Sequence, residues 1–138
     1  MVILDTNVLS AFMRDAPDPI VLSWMDRQPQ SSMWTSSISI LEIQTELQVM
    51  PDGKKRASLS EDFERLLVRI NHRVVAFDEQ AARFAAELTG LRQKKGRVGE
   101  LRDTMIAGIV LANRASLATR NVAHFNDISA TVINPWEV

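Results

Sequence analysis

The stretch Val2-Ile3-Leu4-Asp5-Thr6-Asn7-Val8-Leu9 decides how this chain is read. Its apolar run reads as a buried parallel strand, and Val8, Leu9, Phe12 and Met13 follow at helical spacing. Asp5 therefore stands where a strand ends and a helix begins, the place at which open α/β sheets collect their ligands. Outward from it, Glu42, Asp103 and the segment Thr119-Arg120-Asn121 fall at comparable positions. One rim of the sheet would then gather acidic and amide oxygens, the donors of a Mg²⁺ or Mn²⁺ site.

The rest of the chain alternates helix and strand signals. Asp18 and Pro19 supply an N-cap and an N1 proline to a helix on which Ile20, Val21, Trp24 and Met25 share a face. Met33 to Ser36 is a strand candidate, and Ile40, Ile43 and Leu47 line the helix after it, which Pro51-Asp52-Gly53 closes. Phe63, Leu66, Leu67 and Ile70 mark another amphipathic segment, and Val74-Val75-Ala76-Phe77 a short strand or extended connector. Asp78 caps a long helix with the stripe Ala81, Phe84, Leu88 and Leu91, and Gly96 and Gly99 bracket the basic loop beyond it. Ile106, Ile109 and Val110 define a further helix, and Leu117-Ala118-Thr119 and Thr131-Val132-Ile133 complete the strands. The alternation predicts an α/β fold with a mainly parallel sheet, right-handed crossovers and helices on both faces.

A length of 138 residues suits one domain over 1–138, and 46% hydrophobic residues mark a folded globular chain. With 16 basic against 17 acidic residues the net charge of −1 leaves no bulk attraction for nucleic acid. Polyanion contacts must come from local clusters, of which there are two: Lys54-Lys55-Arg56, and Lys94-Lys95 flanked by Arg92 and Arg97. The absence of cysteine removes disulfides, thiolate metal sites and cysteine nucleophiles. No signal peptide or membrane span is visible, so a cytoplasmic protein is expected.

Each candidate has a structural alternative. Asp5 can simply cap the helix that begins near Thr6. Ser39-Ile40-Leu41-Glu42 fits a capping box in which Glu42 reaches back to the Ser39 amide, with Glu46 one turn on as an alternative ligand. Asp103 opens an apolar helix, where the macrodipole favours negative charge, and Asn121 and Arg120 suit an ordinary turn. Joint placement favours chemistry, because several carboxylates on one rim repel unless a cation holds them. Nucleophile schemes and phosphate-cradling glycine loops find no support: no Gly-x-Ser-x-Gly elbow exists, and His72 and His124 are isolated. Trp24, Trp34 and Trp136 read as core or dimer-contact residues.

Five segments, Val2-Ile3-Leu4-Asp5-Thr6-Asn7-Val8-Leu9, Ser37-Ile38-Ser39-Ile40-Leu41-Glu42-Ile43, Asp103-Thr104-Met105-Ile106-Ala107-Gly108, Ala118-Thr119-Arg120-Asn121-Val122-Ala123-His124-Phe125 and Val132-Ile133-Asn134-Pro135-Trp136, together resemble PIN-domain ribonucleases. The likeness is nearest to toxins of the VapC and FitB type and runs over essentially the whole chain. The resemblance implies a three-layer α/β/α sandwich, a Mg²⁺- or Mn²⁺-dependent endoribonuclease, a homodimer, and an antitoxin that blocks the active site and binds operator DNA.

By motif, Asp5, Glu42 and Asp103 match the family's acidic positions and are the expected metal ligands. Thr6, Asn7, Thr119 and Asn121 would position waters or ligands, with Arg120, Lys94 and Lys95 holding RNA phosphates and Arg120 alternatively a dimer or structural contact. Relatives carry a fourth acid where this chain has Asn121 or His124; Asn121 retains a carbonyl oxygen, and Asp127 is acidic but displaced. Two other functions stay open at this point, a structure-selective DNA nuclease and a catalytically weak regulatory partner.

Overall fold

The computed structural model describes residues 1–14 and 16–138. The strands are β1 (Val2–Leu4), β2 (Met33–Ser36), β3 (Val74–Val75), β4 (Ser116–Ala118) and β5 (Val132–Ile133). They form one sheet in the order β3-β2-β1-β4-β5, and every pairing is parallel. The expectation of a mainly parallel sheet is thus exceeded. Among the described residues the helices are α1 (Thr6–Phe12), α2 (Pro19–Asp26), α3 (Ser37–Val49), α4 (Lys54–Arg69), α5 (Glu79–Lys94) and α6 (Leu101–Ala112).

Side-chain alternation along β1 divides the core in two. Leu4 faces a cluster built with Val8 and Leu9 of α1, Trp24 of α2, Ile43 of α3 and Phe63 of α4. Ile3 faces the opposite cluster, with Leu88 of α5, Ile106 and Ile109 of α6, and Phe125. Ile3 pairs in register with Leu117 and Leu4 with Ala118, so β4 feeds the same two layers. The result is a three-layer α/β/α sandwich. Each fully buried Ile, Leu or Phe contributes about 1.5–3 kcal/mol, and the sheet's two faces share them.

Several helix faces differ in detail from the periodic reading. Ile20 is 52% exposed, because α2 buries only Val21, Trp24 and Met25. On α5 the buried stripe is Ala81, Ala85, Leu88 and Arg92, which leaves Leu91 exposed and puts an arginine where an apolar residue was expected. Arg92 therefore does not belong to the basic loop. The α5–α6 approach is close at Gly108, where a Cβ would run into the Ala81 carbonyl and the Ala85 side chain.

Chain order fixes where a site can form. β1 lies at the centre, with the chain running outward to β2 and β3 on one side before α5 and α6 carry it back to β4 on the other. The reversal leaves a crevice beyond the carboxyl ends of β1 and β4, the topological switch point. Asp5 and Thr119 are the residues that follow those two ends.

Candidate active site

Asp5 is 4% exposed, and the structure uses it as the helix cap expected of it. Its backbone N–H extends the ladder to Ala118 O at 2.9 Å, and its Oδ1 accepts the Thr6 N–H at 2.8 Å as the cap of α1. Its Oδ2 accepts from Thr119 Oγ1 at 2.7 Å and from Asn7 Nδ2 at 3.3 Å. Asn7 in turn accepts the Arg120 N–H at 3.1 Å, so β1 and β4 are stitched together around one carboxylate. Burial pushes the Asp5 carboxyl above the ordinary aspartate range, against the pull of the Thr119 and Thr6 hydrogen bonds, and nearby Asp103 adds to the rise.

The capping-box reading of Glu42 fails. Ser36, not Ser39, caps α3, its Oγ accepting the Ser39 N–H at 3.1 Å. Ser39 lies buried inside the first turn, and Glu42 is left to point at the rim. There Thr6 Oγ1 stands 3.0 Å from Glu42 Oε1 and 2.9 Å from Ser39 Oγ. With one proton to give, Thr6 donates to the carboxylate and takes Ser39 as its own donor. Burial also raises Glu42, countered by the Thr6 hydrogen bond, while Asp5 and Asp103 push it up and Arg102, at 4.0 Å, pulls it down.

Asp103 occupies the first turn of α6, which Glu100 caps by accepting the Asp103 N–H at 2.9 Å. Its Oδ2 meets His124 Nδ1 at 2.8 Å. Four carboxylates thus border one cleft, those of Asp5, Glu42, Glu46 and Asp103, lined also by Thr6, Asn7, Ser10, Arg14, Arg120, Asn121 and Trp136. Among the described residues, no three acidic or histidine side chains close into a compact cage. The donor set nevertheless suits a hard divalent cation that keeps several waters and takes only one or two carboxylates from the protein. Buried, mutually repelling carboxylates are also the groups that such a charge would stabilise.

The expected residues separate into three sets. Asp5, Glu42, Asp103, Thr6, Asn7, Arg120 and Asn121 line the cleft, and Thr119 supports it from beneath. Lys94 and Lys95 do not: they end α5 as exposed residues away from the cleft's lining. Asp127 is engaged elsewhere, its Oδ2 and Oδ1 accepting from Arg92 Nε and Nη2 at 2.8 and 2.9 Å. That contact holds the Asp127 carboxyl below the ordinary range, so it is no free fourth ligand. His124 reaches Asp103 in an adjoining hollow shared with Arg97, Gly99 and Glu100.

Trp136 corrects the core-or-dimer reading. It packs against the larger core cluster but also lines the cleft, with the Arg120 guanidinium 4.8 Å above its ring. Arg92 was the other residue that periodicity hid. Besides Asp127 it donates to Thr104 Oγ1 at 3.1 Å and to His124 O at 2.9 Å, which ties α6 and the 3-10 turn Val122–Phe125 to α5. The signal was available in the spacing, since Arg92 continues the series Ala81, Ala85, Leu88.

A family model described as PIN domain matches residues 2–130. Plasmid stability protein StbB of Pseudomonas syringae pv. tomato is 38% identical over 138 residues, covering 99% of each chain. VapC ribonuclease Y4jK of Sinorhizobium fredii is 35% identical over 138 residues, again covering 99% of each. Among solved structures, FitAB bound to an IR36 DNA fragment matches with a TM-score of 0.90 at 29% identity, covering 100% of this chain and 97% of that one.

Proposed function

The chain belongs to the PIN-domain family, and from that membership we propose that it is a Mg²⁺- or Mn²⁺-dependent endoribonuclease, the toxin of a toxin–antitoxin pair. The observation that carries the reading is the convergence of Asp5, Glu42 and Asp103 on one cleft at the switch point of the sheet. The 35% identity to a protein named VapC ribonuclease supports RNA as the polymer, and the likeness to FitAB on DNA supports a protein partner that binds DNA. A homodimer completes the assembly. No helix among the described residues is long and apolar enough to cross a membrane.

Asp5 and Asp103 would hold the cation, with Glu42 as a further ligand or as acceptor for the attacking water. A divalent ion in this position supplies Lewis acidity at the phosphate and a water of lowered pKa. Thr6 and Thr119 orient the carboxylates, each spending its hydroxyl proton on one of them. His124 fixes Asp103 through its Nδ1. Arg120, exposed at the opposite lip, carries a charge suited to a phosphate oxygen. No side-chain nucleophile is required.

The test is cleavage of a single-stranded RNA by the metal-stripped protein with Mg²⁺ or Mn²⁺ added back, alongside Asp5→Asn. Wild type should cut only with metal, and folded Asp5→Asn should not cut. Wild-type turnover in EDTA, or a folded Asp5→Asn as fast as wild type, overturns the proposal. Cutting confined to DNA would move the protein to the DNA-nuclease reading.

A further inference from the structure

Arg120 and Trp136 form the cleft wall that the carboxylates leave unexplained. The Trp136 ring is fixed at several points: its Nε1–H donates to Asp18 Oδ2 at 3.1 Å, its backbone N–H donates to Asn134 Oδ1 at 3.0 Å, and its body packs on the core. Arg120 is fixed at its backbone, where its N–H donates to Asn7 Oδ1. Its guanidinium lies over the indole and, among the described residues, makes no side-chain hydrogen bond or ion pair. This is unusual in a cleft holding four carboxylates, where a long flexible cation would otherwise fold onto an acid. Attraction to the indole face holds it out of that trap.

We propose that the Arg120–Trp136 stack is the subsite for an unpaired nucleobase next to the scissile phosphate. The inference rests on the nuclease reading above. A planar cation centred 4.8 Å from a fixed indole ring, on an exposed residue, leaves surface open to a further planar group, and single-stranded RNA is read by bases stacked on aromatic rings and arginine planes. The edge donors of Arg120 remain for a phosphate oxygen or for base acceptors beside it. Asn7 links this wall directly to Asp5, since it accepts from the Arg120 N–H and donates to Asp5 Oδ2. A base seated on the stack would therefore be registered against the catalytic carboxylate. Lys94 and Lys95 are absent from the cleft's lining, whereas this wall is part of it.

The experiment measures binding without cleavage, so that it stands apart from the nuclease assay. Fluorescein-labelled single-stranded oligoribonucleotides, one intact and one with abasic nucleotides throughout its centre, are titrated in EDTA by fluorescence anisotropy against wild type, Arg120→Lys, Trp136→Phe and Trp136→Leu. Arg120→Lys keeps the charge and loses the plane, and Trp136→Leu keeps bulk and loses the ring. Both should weaken binding of the intact strand about tenfold, and Arg120→Lys, which keeps the charge, should leave binding of the abasic strand unchanged. Trp136→Phe restores a ring and should stay within about threefold of wild type. Melting curves of each variant separate lost recognition from lost folding.

If Arg120→Lys binds both strands as wild type does, Arg120 is only a phosphate contact and the stacking subsite is overturned. Equal losses on both strands overturn it in the same way. Failure of wild type to cleave RNA with any metal, while the intact-strand preference persists, would instead strike the nuclease reading and leave the base subsite in place.

Discussion

Arg92 and Asp127 meet as a two-pronged ion pair, Nε to Oδ2 at 2.8 Å and Nη2 to Oδ1 at 2.9 Å, with the arginine side chain only 3% exposed. The same guanidinium reaches Thr104, beside Asp103, and the carbonyl of His124, which itself holds Asp103. One buried cation thus braces both supports of a site carboxylate without touching the cleft. Removing a partner from such a pair strands the other charge, which makes it costlier to break than an exposed bridge.

Asp127→Asn should therefore destabilise the fold by about 2–3 kcal/mol at neutral pH, below the extreme for a fully buried pair because Asp127 stays 20% exposed. The pH dependence has a definite sign. Arg92 depresses the folded-state pKa of Asp127, so its contribution is complete above the ordinary aspartate pKa of about 4 and is lost as pH falls through the depressed value. Urea denaturation of wild type and variant from pH 7 downward should show their difference shrinking only below about pH 4. A difference constant through the acid range would mean that the pair contributes nothing through charge.

Much of the fold and the rim was legible in the sequence. The apolar run Val2 to Leu4 followed by Asp5 is local information, and so are the caps Asp18 and Asp78, which the structure uses as read. What stayed hidden depends on contacts distant in sequence. The partner of Glu42 is Thr6, and the capping box at Ser39 looked sound because a serine three residues earlier, Ser36, competes for the same role with equal chemistry. Arg92 was hidden because a periodic reading expects an apolar residue in a buried stripe, while its acceptors come from Thr104, His124 and Asp127. Trp136 needed the return of β5 to the sheet before its ring could border the cleft.

Glu42→Gln distinguishes a hydrogen-bond acceptor from a metal or water acceptor. The amide oxygen still takes the Thr6 proton, so the melting temperature of the metal-free protein should hold or rise, since a carboxylate raised by burial and by its acidic neighbours is unfavourable when ionised. Turnover should nevertheless fall by about 10²-fold or more, the scale on which a positioned acid–base group contributes. Steady-state cleavage of single-stranded RNA at saturating metal makes the comparison. Unchanged turnover would leave Glu42 as a structural acceptor and bring forward Glu46, which borders the same cleft.

Asn121 and His124 remain the two candidates for the missing fourth acid: Asn121 lines the carboxylate cleft, and His124 meets Asp103 in the adjoining hollow. The Asn121 backbone N–H donates to Thr119 Oγ1 at 3.0 Å, while His124 Nδ1 meets Asp103 Oδ2 at 2.8 Å. A carboxylate at 121 would add charge where a cation would sit; one at 124 would replace a donor to Asp103 with a repelling acid. Asn121→Asp should therefore tighten Mn²⁺ binding about tenfold and lower the melting temperature of the metal-free protein, with Mn²⁺ restoring it by linkage. His124→Asp should lower metal-free stability with a smaller gain on adding Mn²⁺. Calorimetric titration and melting curves of the metal-stripped proteins measure both. Equal Mn²⁺ affinity in wild type and Asn121→Asp would place residue 121 outside the metal's reach, and a larger gain for His124→Asp would assign the fourth position to the 3-10 turn instead.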